Sequence, residues 1–163
     1  MLTMVLDIGG TAIKSGLYND GKLSEVKETP TDAQLGGAHV VESAVKLIED
    51  YRKISSFKRI GISTAGQVDS AAGRIIYANE NIPGYTGTAL KDIMERKFGI
   101  PTAVENDVNA AAIGEAVFGA GKGVADFVCL TYGTGVGGAI FANGKLYCGS
   151  SCPAGEFGGI VTH

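Results

Sequence analysis

Asp7-Ile8-Gly9-Gly10-Thr11-Ala12-Ile13-Lys14 places an acid, a glycine turn, a hydroxyl and a lysine between two apolar runs. Residues 2–6 read as a strand that ends at Asp7, and residues 12–18 read as a second strand joined to it by the Gly9-Gly10 turn. Consecutive backbone N–H groups in such a turn form a concave nest for an anion. Thr11 adds a hydroxyl donor and Lys14 a positive charge. Asp7, at the strand's end, offers an oxygen suited to holding Mg²⁺ through water. Taken alone, the same residues also describe an ordinary hairpin with a glycine turn.

Working outward, Asp20-Gly21 is a strong hairpin signal, and residues 22–29 form a third strand. Residues 30–37 are a loop. From Ala38 to Ile54 apolar residues (Val41, Val45, Leu47, Ile48) recur at helical spacing against Glu42, Lys46, Glu49 and Arg52. Arg59 to Thr64 reads as a short buried strand, with weaker strand signals at 67–69 and 74–77. Pro83-Gly84 marks a loop, and Thr88 is placed to cap a helix running to Phe98, closed by Gly99 and Pro101. Residues 102–105 are a strand, and 107–118 an Ala-rich helix ended by Gly119 and Gly121. Residues 126–132 and 136–142 are strands around a glycine turn, and Asn143-Gly144 marks one more hairpin. Three antiparallel strands followed by alternating helices and strands predict an α/β domain built on a mixed sheet.

Composition narrows the function. At 163 residues, 45% of them hydrophobic, the chain can bury a substantial core. Its 25 glycines exceed the roughly 11 of average usage, and they cluster in turns between apolar runs, where backbone approaches a ligand. A net charge of −3 argues against a nucleic-acid binder. No apolar run approaches the ~18 residues of a membrane span, and the N-terminus lacks a signal peptide's basic region and cleavage site. These features predict a soluble cytoplasmic protein. Cys129, Cys148 and Cys152 are an odd set that suggests reduced thiols. Cys148 and Cys152 have the spacing of two zinc ligands, with only His163 nearby and no second pair, so no metal site is expected.

Thr131-Tyr132-Gly133-Thr134-Gly135-Val136-Gly137-Gly138 satisfies the spacing of a dinucleotide fingerprint. That fingerprint requires a helix immediately after the turn, because the pyrophosphate rests on the helix N-terminus. Here a strand follows, so the dinucleotide reading fails. A second glycine hairpin with exposed amides, facing the first, instead suggests a clamp for a nucleotide's phosphates. In Val104-Glu105-Asn106-Asp107 the aspartate stands where a strand meets a helix. It serves equally as a helix N-cap or as the carboxylate that takes a proton from an attacking hydroxyl in phosphoryl transfer. Asn106 and Asp107 together suit neighbouring hydroxyls of a sugar.

Asp-Ile-Gly-Gly-Thr, then Glu-Asn-Asp before an Ala-rich helix, then Thr-Gly-Val-Gly-Gly in a hairpin, then Gly-Glu-Phe-Gly resemble, in order, the repressor/ORF/kinase (ROK) family. The resemblance implies an actin-like, ribonuclease H-like ATPase fold, with residues 1–142 as its N-terminal domain and 143–163 starting the connection to a C-terminal lobe lying outside this chain. It makes Asp7, Gly9, Gly10, Thr11 and Lys14 a first phosphate loop, and Gly133, Thr134, Gly135 and Gly137 a second. Asp107 matches the family's catalytic base. Asn106, Asp107 and Glu156 match sugar contacts, and Gly66 with Asn79 or Asn81 falls where the family lines its sugar pocket. Many members carry a histidine three residues after the glutamate, as sugar contact and zinc ligand; here that position is Gly159.

The implied activity is Mg·ATP-dependent phosphorylation of a hexose-type sugar (glucose, N-acetylmannosamine or a β-glucoside), on the 6-hydroxyl, by a homodimer when full length. The chain looks truncated, so this stretch alone is expected to be inactive. A sugar-sensing repressor of the same family is the alternative. Such repressors carry a helix-turn-helix ahead of the first phosphate loop, whereas six residues precede Asp7.

Overall fold

The computed structural model describes residues 1–133, 135–150 and 154–159. It divides into two compact units, Met1–Asn106 and Asp107–His163. The first opens with β1 (Thr3–Ile8), β2 (Ala12–Asn19) and β3 (Lys22–Pro30), continues through α1 (Gly37–Ile54), β4 (Arg59–Thr64), β5 (Gln67–Asp69) and β6 (Arg74–Tyr77), and ends with α2 (Leu90–Phe98) and β7 (Thr102–Asn106). Its five-stranded sheet has the order β3-β2-β1-β4-β7. The first three strands are antiparallel, while β1, β4 and β7 run parallel. The expected mixed sheet with three N-terminal antiparallel strands is present; β5 and β6 form a separate hairpin.

Alternation dictates which face is buried. Met4, Leu6 and Ile8 of β1 lie under the helices with Ile13 and Leu17 of β2, Ile60 and Ile62 of β4, and Val104 of β7. The first strand runs through Ile8, beyond its expected end at Asp7, because Ile8 is fully buried and pairs with Ile13. Asp20 (φ 48°) and Gly21 (φ 82°) make the turn between β2 and β3, the left-handed pair that matches strand twist.

Helix α1 buries Val40, Ala44, Ile48 and Tyr51, with Val41, Val45 and Leu47 packed at the margin. Of the apolar residues that predict the helix only Ile48 is fully in the buried stripe, which otherwise runs through Val40, Ala44 and the hydroxyl-bearing Tyr51. The Tyr51 hydroxyl lies 3.3 Å from Ser15 Oγ and donates to the carbonyl of Glu25. That bond meets β2–β3 where the register shifts between Ser15 and Leu17. Burial of an aromatic hydroxyl is tolerated because its polar end is satisfied.

One capping expectation fails. α2 begins at Leu90 after Ala89, with no side-chain cap. Thr88 Oγ1 donates instead to the carbonyl of Tyr85, 2.7 Å away, closing the preceding turn.

The second unit consists of α3 (Asp107–Phe118), β8 (Phe127–Tyr132), β9 (Val136–Ala142), β10 (Lys145–Tyr147) and a short 3-10 turn, Phe157–Gly159. Its antiparallel sheet has the order β10-β9-β8. Ala112, Ala139 and Phe141 form a small core, with Phe127 stacked on Phe141 at 4.7 Å between ring centres. Among the described residues no helix is long and apolar enough to cross a membrane.

Candidate active site

In the first unit, the carboxyl ends of three parallel strands stop level. Ile8 pairs with Thr64, and Thr64 with Asn106. From this edge the chain leaves as the Gly9 turn, the Ala65-Gly66 turn, and Asp107, the next residue after β7. Ligands of open α/β sheets bind at such an edge, where the loops leave the strands. The Ala65 amide donates to the Ile8 carbonyl at 3.0 Å, so the first two loops are joined at their roots.

The Gly9 turn is closed by Gly9 N donating to Ala12 O at 3.0 Å. Thr31, fully buried, grips it twice: its hydroxyl donates to Gly9 O at 2.7 Å, and its amide to Thr11 O at 3.0 Å. Among the described residues the amides of Gly10 and Thr11 donate to no acceptor, and both residues are exposed. This pair is chemically suited to phosphate oxygens. Asp7 and Lys14 are direct cross-strand partners, so their side chains share the sheet face opposite the helices. Ser63 sits level with Asp7 on β4 and donates its hydroxyl to Asp7 Oδ1 at 2.5 Å. With Glu105 level with Ser63 on β7, a polar row (Lys14, Asp7, Ser63, Glu105) crosses four strands.

The second loop depends on Gly66. Its φ is +96°, and a Cβ there would lie 2.8 Å from the carbonyl oxygen of Tyr77, so only glycine fits. Asn106 Nδ2 donates to Gly66 O at 2.9 Å, which brings two of the expected sugar-site residues together. Asn79 and Asn81 are both exposed. The Asn79 side chain accepts the Asn81 amide at 3.1 Å, a turn-forming role. Tyr85, fully buried under this loop, meets Thr64 Oγ1 at 3.0 Å. Burial pushes the Tyr85 hydroxyl up to about 12, against the opposing hydrogen bond from Thr64.

In the second unit Asp107 is the first residue of α3, and its Oδ1 accepts the Val108 amide at 2.9 Å. Gly133 N donates to Gly135 O at 3.0 Å, closing the second glycine turn; both glycines are exposed. Gly137 has a packing reason of its own, since a Cβ there would lie 2.5 Å from Val108 Cγ2 and 2.6 Å from Thr131 Oγ1. Glu156 is exposed, and its carbonyl accepts the Gly159 amide at 3.1 Å. Thr134, Cys152 and His163 lie outside the described residues. Among the described residues no three His, Cys, Asp or Glu side chains gather as a metal site.

Sequence reasoning missed Thr31, Ser63, Tyr85 and the role of Glu105. Each acts through a bond to a residue far along the chain, and even Glu105, inside the Glu-Asn-Asp motif, gives no local sign of its partner Ser70.

The sequence profile of the ROK family matches residues 3–163. The chain belongs to the ROK family. Similar relatives are an uncharacterized protein of Clostridium perfringens, 46% identical over 99% of this chain and 55% of its own length, and a glucokinase of Streptomyces coelicolor, 37% identical over 98% and 49%. A beta-glucoside kinase of Listeria monocytogenes is 36% identical over 97% of this chain and 52% of its own length. Among solved structures, a ROK family glucokinase from Streptomyces griseus in complex with glucose and AMPPNP superimposes with a TM-score of 0.87 at 37% identity, over 98% of this chain and 50% of that one. The actin-like fold class implied by the motifs stands. The chain spans about half the length of the relatives it matches.

Proposed function

We propose that the full-length protein transfers the γ-phosphoryl group of Mg·ATP to a hexose-type sugar, at the 6-hydroxyl. The observation that carries the reading is the bond from Asn106 Nδ2 to Gly66 O. It fixes two expected sugar-binding positions at the strand edge that also roots the Gly9-Gly10-Thr11 loop. The undonated amides of Gly10 and Thr11, with Lys14, fit the oxygens of a triphosphate. Asp7 fits a hydrated Mg²⁺, which when bound would neutralise charge on the phosphates.

In this reading Asn106, Asp107, Glu156, Gly66 and an asparagine of the 79–81 loop orient the sugar. The Asp107 carboxylate accepts the proton of the 6-hydroxyl as that oxygen attacks the γ-phosphorus. The bond from the γ-phosphorus to the bridging oxygen breaks, and ADP leaves. Gly133, Thr134 and Gly135 form the second phosphate-binding turn, which Gly133 closes through its amide bond to Gly135 O. Gly137 supports that turn by letting α3 pack beneath it.

Relatives named as glucokinase and beta-glucoside kinase support a hexose substrate. The test is a coupled ADP-release assay on the full-length protein with glucose, N-acetylmannosamine and a β-glucoside. Sugar-dependent release with at least one, and product phosphorylated at the 6-position, is expected. ATP turnover indifferent to all three would sink the reading. The 163-residue chain alone is expected to show little turnover, because kinases of this design complete the site by closing two lobes.

A further inference from the structure

We propose that Glu105 is a positioning residue for the sugar, holding the β5–β6 hairpin in place at the strand edge; this rests on the sugar-kinase reading above. The hairpin is a two-stranded sheet separate from the main one. Gly66 immediately precedes its first strand, and Asn79 follows its second strand by two residues, so both expected sugar loops are its ends. On one side the hairpin is tied by backbone bonds to residues 87–91: Ile75 N to Thr88 O at 2.9 Å, Gly87 N to Ile75 O at 2.8 Å, and Lys91 N to Gly73 O at 3.1 Å.

On the other side two consecutive residues of β7 reach it. Asn106 donates to Gly66 O at the hairpin's base. Glu105 Oε2 accepts the Ser70 hydroxyl at 2.7 Å, at the hairpin's tip. β7 therefore holds the hairpin at two points, its base and its tip. Glu105 also ties itself down, since its Oε1 accepts the Asn106 amide at 2.9 Å. The carboxylate thereby links the hairpin tip to the backbone of the residue preceding Asp107. The tip itself is braced by Asp69 Oδ1, which accepts the amides of Ala71 (3.1 Å) and Ala72 (3.0 Å). What Ser70 passes to Glu105 is therefore the position of a rigid turn. Hydroxyl-to-carboxylate bonds are among the stronger side-chain hydrogen bonds.

A tether and a charge make different demands on this side chain. Glutamine keeps both contacts, its carbonyl accepting the Asn106 amide and its NH₂ donating to Ser70 Oγ. Alanine keeps neither. In the full-length protein, Glu105→Ala is expected to raise the sugar KM about tenfold, with the ATP KM and kcat moved less than about threefold. Ser70→Ala should move the sugar KM in the same direction by less, and Glu105→Gln should restore a value near wild type. A parallel arm uses amide hydrogen exchange at residues 71–73 of the 163-residue chain. Exchange there should speed up about fivefold in Glu105→Ala and stay near wild type in Glu105→Gln. A sugar KM within about twofold of wild type in Glu105→Ala, or Glu105→Gln as damaged as Glu105→Ala, overturns the positioning role and leaves the kinase reading intact. A wild-type protein that phosphorylates no hexose overturns the kinase reading, and the exchange arm then decides whether Glu105 holds the hairpin.

Discussion

The strands β1-β2-β3 and β8-β9-β10 follow the same path in separate parts of the chain. Each set is an antiparallel meander whose first connection is a glycine turn and whose second is a left-handed pair, Asp20-Gly21 in one and Asn143-Gly144 in the other. The chemistry on the two meanders differs. At the next-to-last position of the first strand stand Asp7 and Thr131; their cross-strand partners are Lys14 and Gly137. The first turn is thus flanked by a carboxylate and an ammonium, the second by a hydroxyl and a glycine. The packing differs too. The first meander continues into β4 and β7 and lies under α1 and α2, in a large contiguous core. The second has α3 on one side, while Val128, Leu130 and Tyr132 of β8 are exposed on the other, Tyr132 at 93%. One backbone path therefore carries two chemistries: a turn flanked by opposite charges, and a turn flanked by none.

The largest expected effect is at the residue joining the two units. In the full-length protein Asp107→Asn should lower turnover by about 10²–10⁴-fold with little change in melting temperature. Asparagine still accepts the Val108 amide and starts a helix about as well as aspartate, yet it cannot take a proton. Turnover above about a tenth of wild type would reduce Asp107 to a helix start. The two turns are compared directly by Asp7→Asn and Thr131→Ala. Loss of the carboxylate should cost about 10–100-fold in activity, as for groups that orient a metal's surroundings, with the loss deepening as Mg²⁺ is lowered. Thr131→Ala should cost no more than a few-fold, roughly one neutral hydrogen bond's worth. Equal losses would erase the distinction drawn between the turns.

Glycine sharpens the contrast in stability. Gly66→Ala forces a side chain into a φ of +96° and against Tyr77 O at 2.8 Å, and should destabilise the first unit by about 1–3 kcal/mol. Gly137→Ala drives a methyl into Val108 and Thr131, at a similar overpacking cost of about 1–3 kcal/mol. Site-resolved hydrogen exchange separates the two. Gly66→Ala should loosen β4–β6 and leave β8–β9 unchanged, and Gly137→Ala should do the reverse.

The fold was legible where the chemistry is local. Asp20-Gly21 and Asn143-Gly144 mark turns because two adjacent positive φ angles favour those residues. Gly99 ends α2 with φ 65° for the same reason. The motif residues at 7–14 and 105–107 were legible because strand ends and helix starts have short sequence signatures. What was hidden is long-range. Thr31 reaches Gly9 across 22 residues, Ser70 reaches Glu105 across 35, and Ser63 reaches Asp7 across 56. No window of sequence brings such pairs together; only the parallel register of β1, β4 and β7 does. Thr88 misled for a related reason. Its hydroxyl had two acceptable uses, and the turn at Tyr85 took it.

The smallest expected effect concerns that same buried edge. Thr64 and Tyr85 hold each other under the Gly66 loop, and burial raises the Tyr85 hydroxyl to about 12, against an ordinary value near 10. The folded state thus holds the phenolic proton more tightly than the unfolded state. The resulting stability is fully present below about pH 10 and is lost as pH rises from about 10 to about 12, by roughly 2–3 kcal/mol over the whole interval. Tyr85→Phe removes the titrating group and the bond to Thr64 together. At pH 7 it should cost only about 1 kcal/mol, because the Thr64 hydroxyl keeps a contact with Ala65 O at 3.2 Å. Urea unfolding of the two proteins should therefore show wild type ahead at pH 7 and 9. The gap should close and then reverse between about pH 10.5 and 11.5, as the wild type alone must lose a buried proton. Lysine deprotonation in the same range affects both proteins alike and cancels in the difference. A gap that stayed constant from pH 7 to pH 11.5 would mean that Tyr85 ionises as easily folded as unfolded, and that the Gly66 loop does not seal this edge from water.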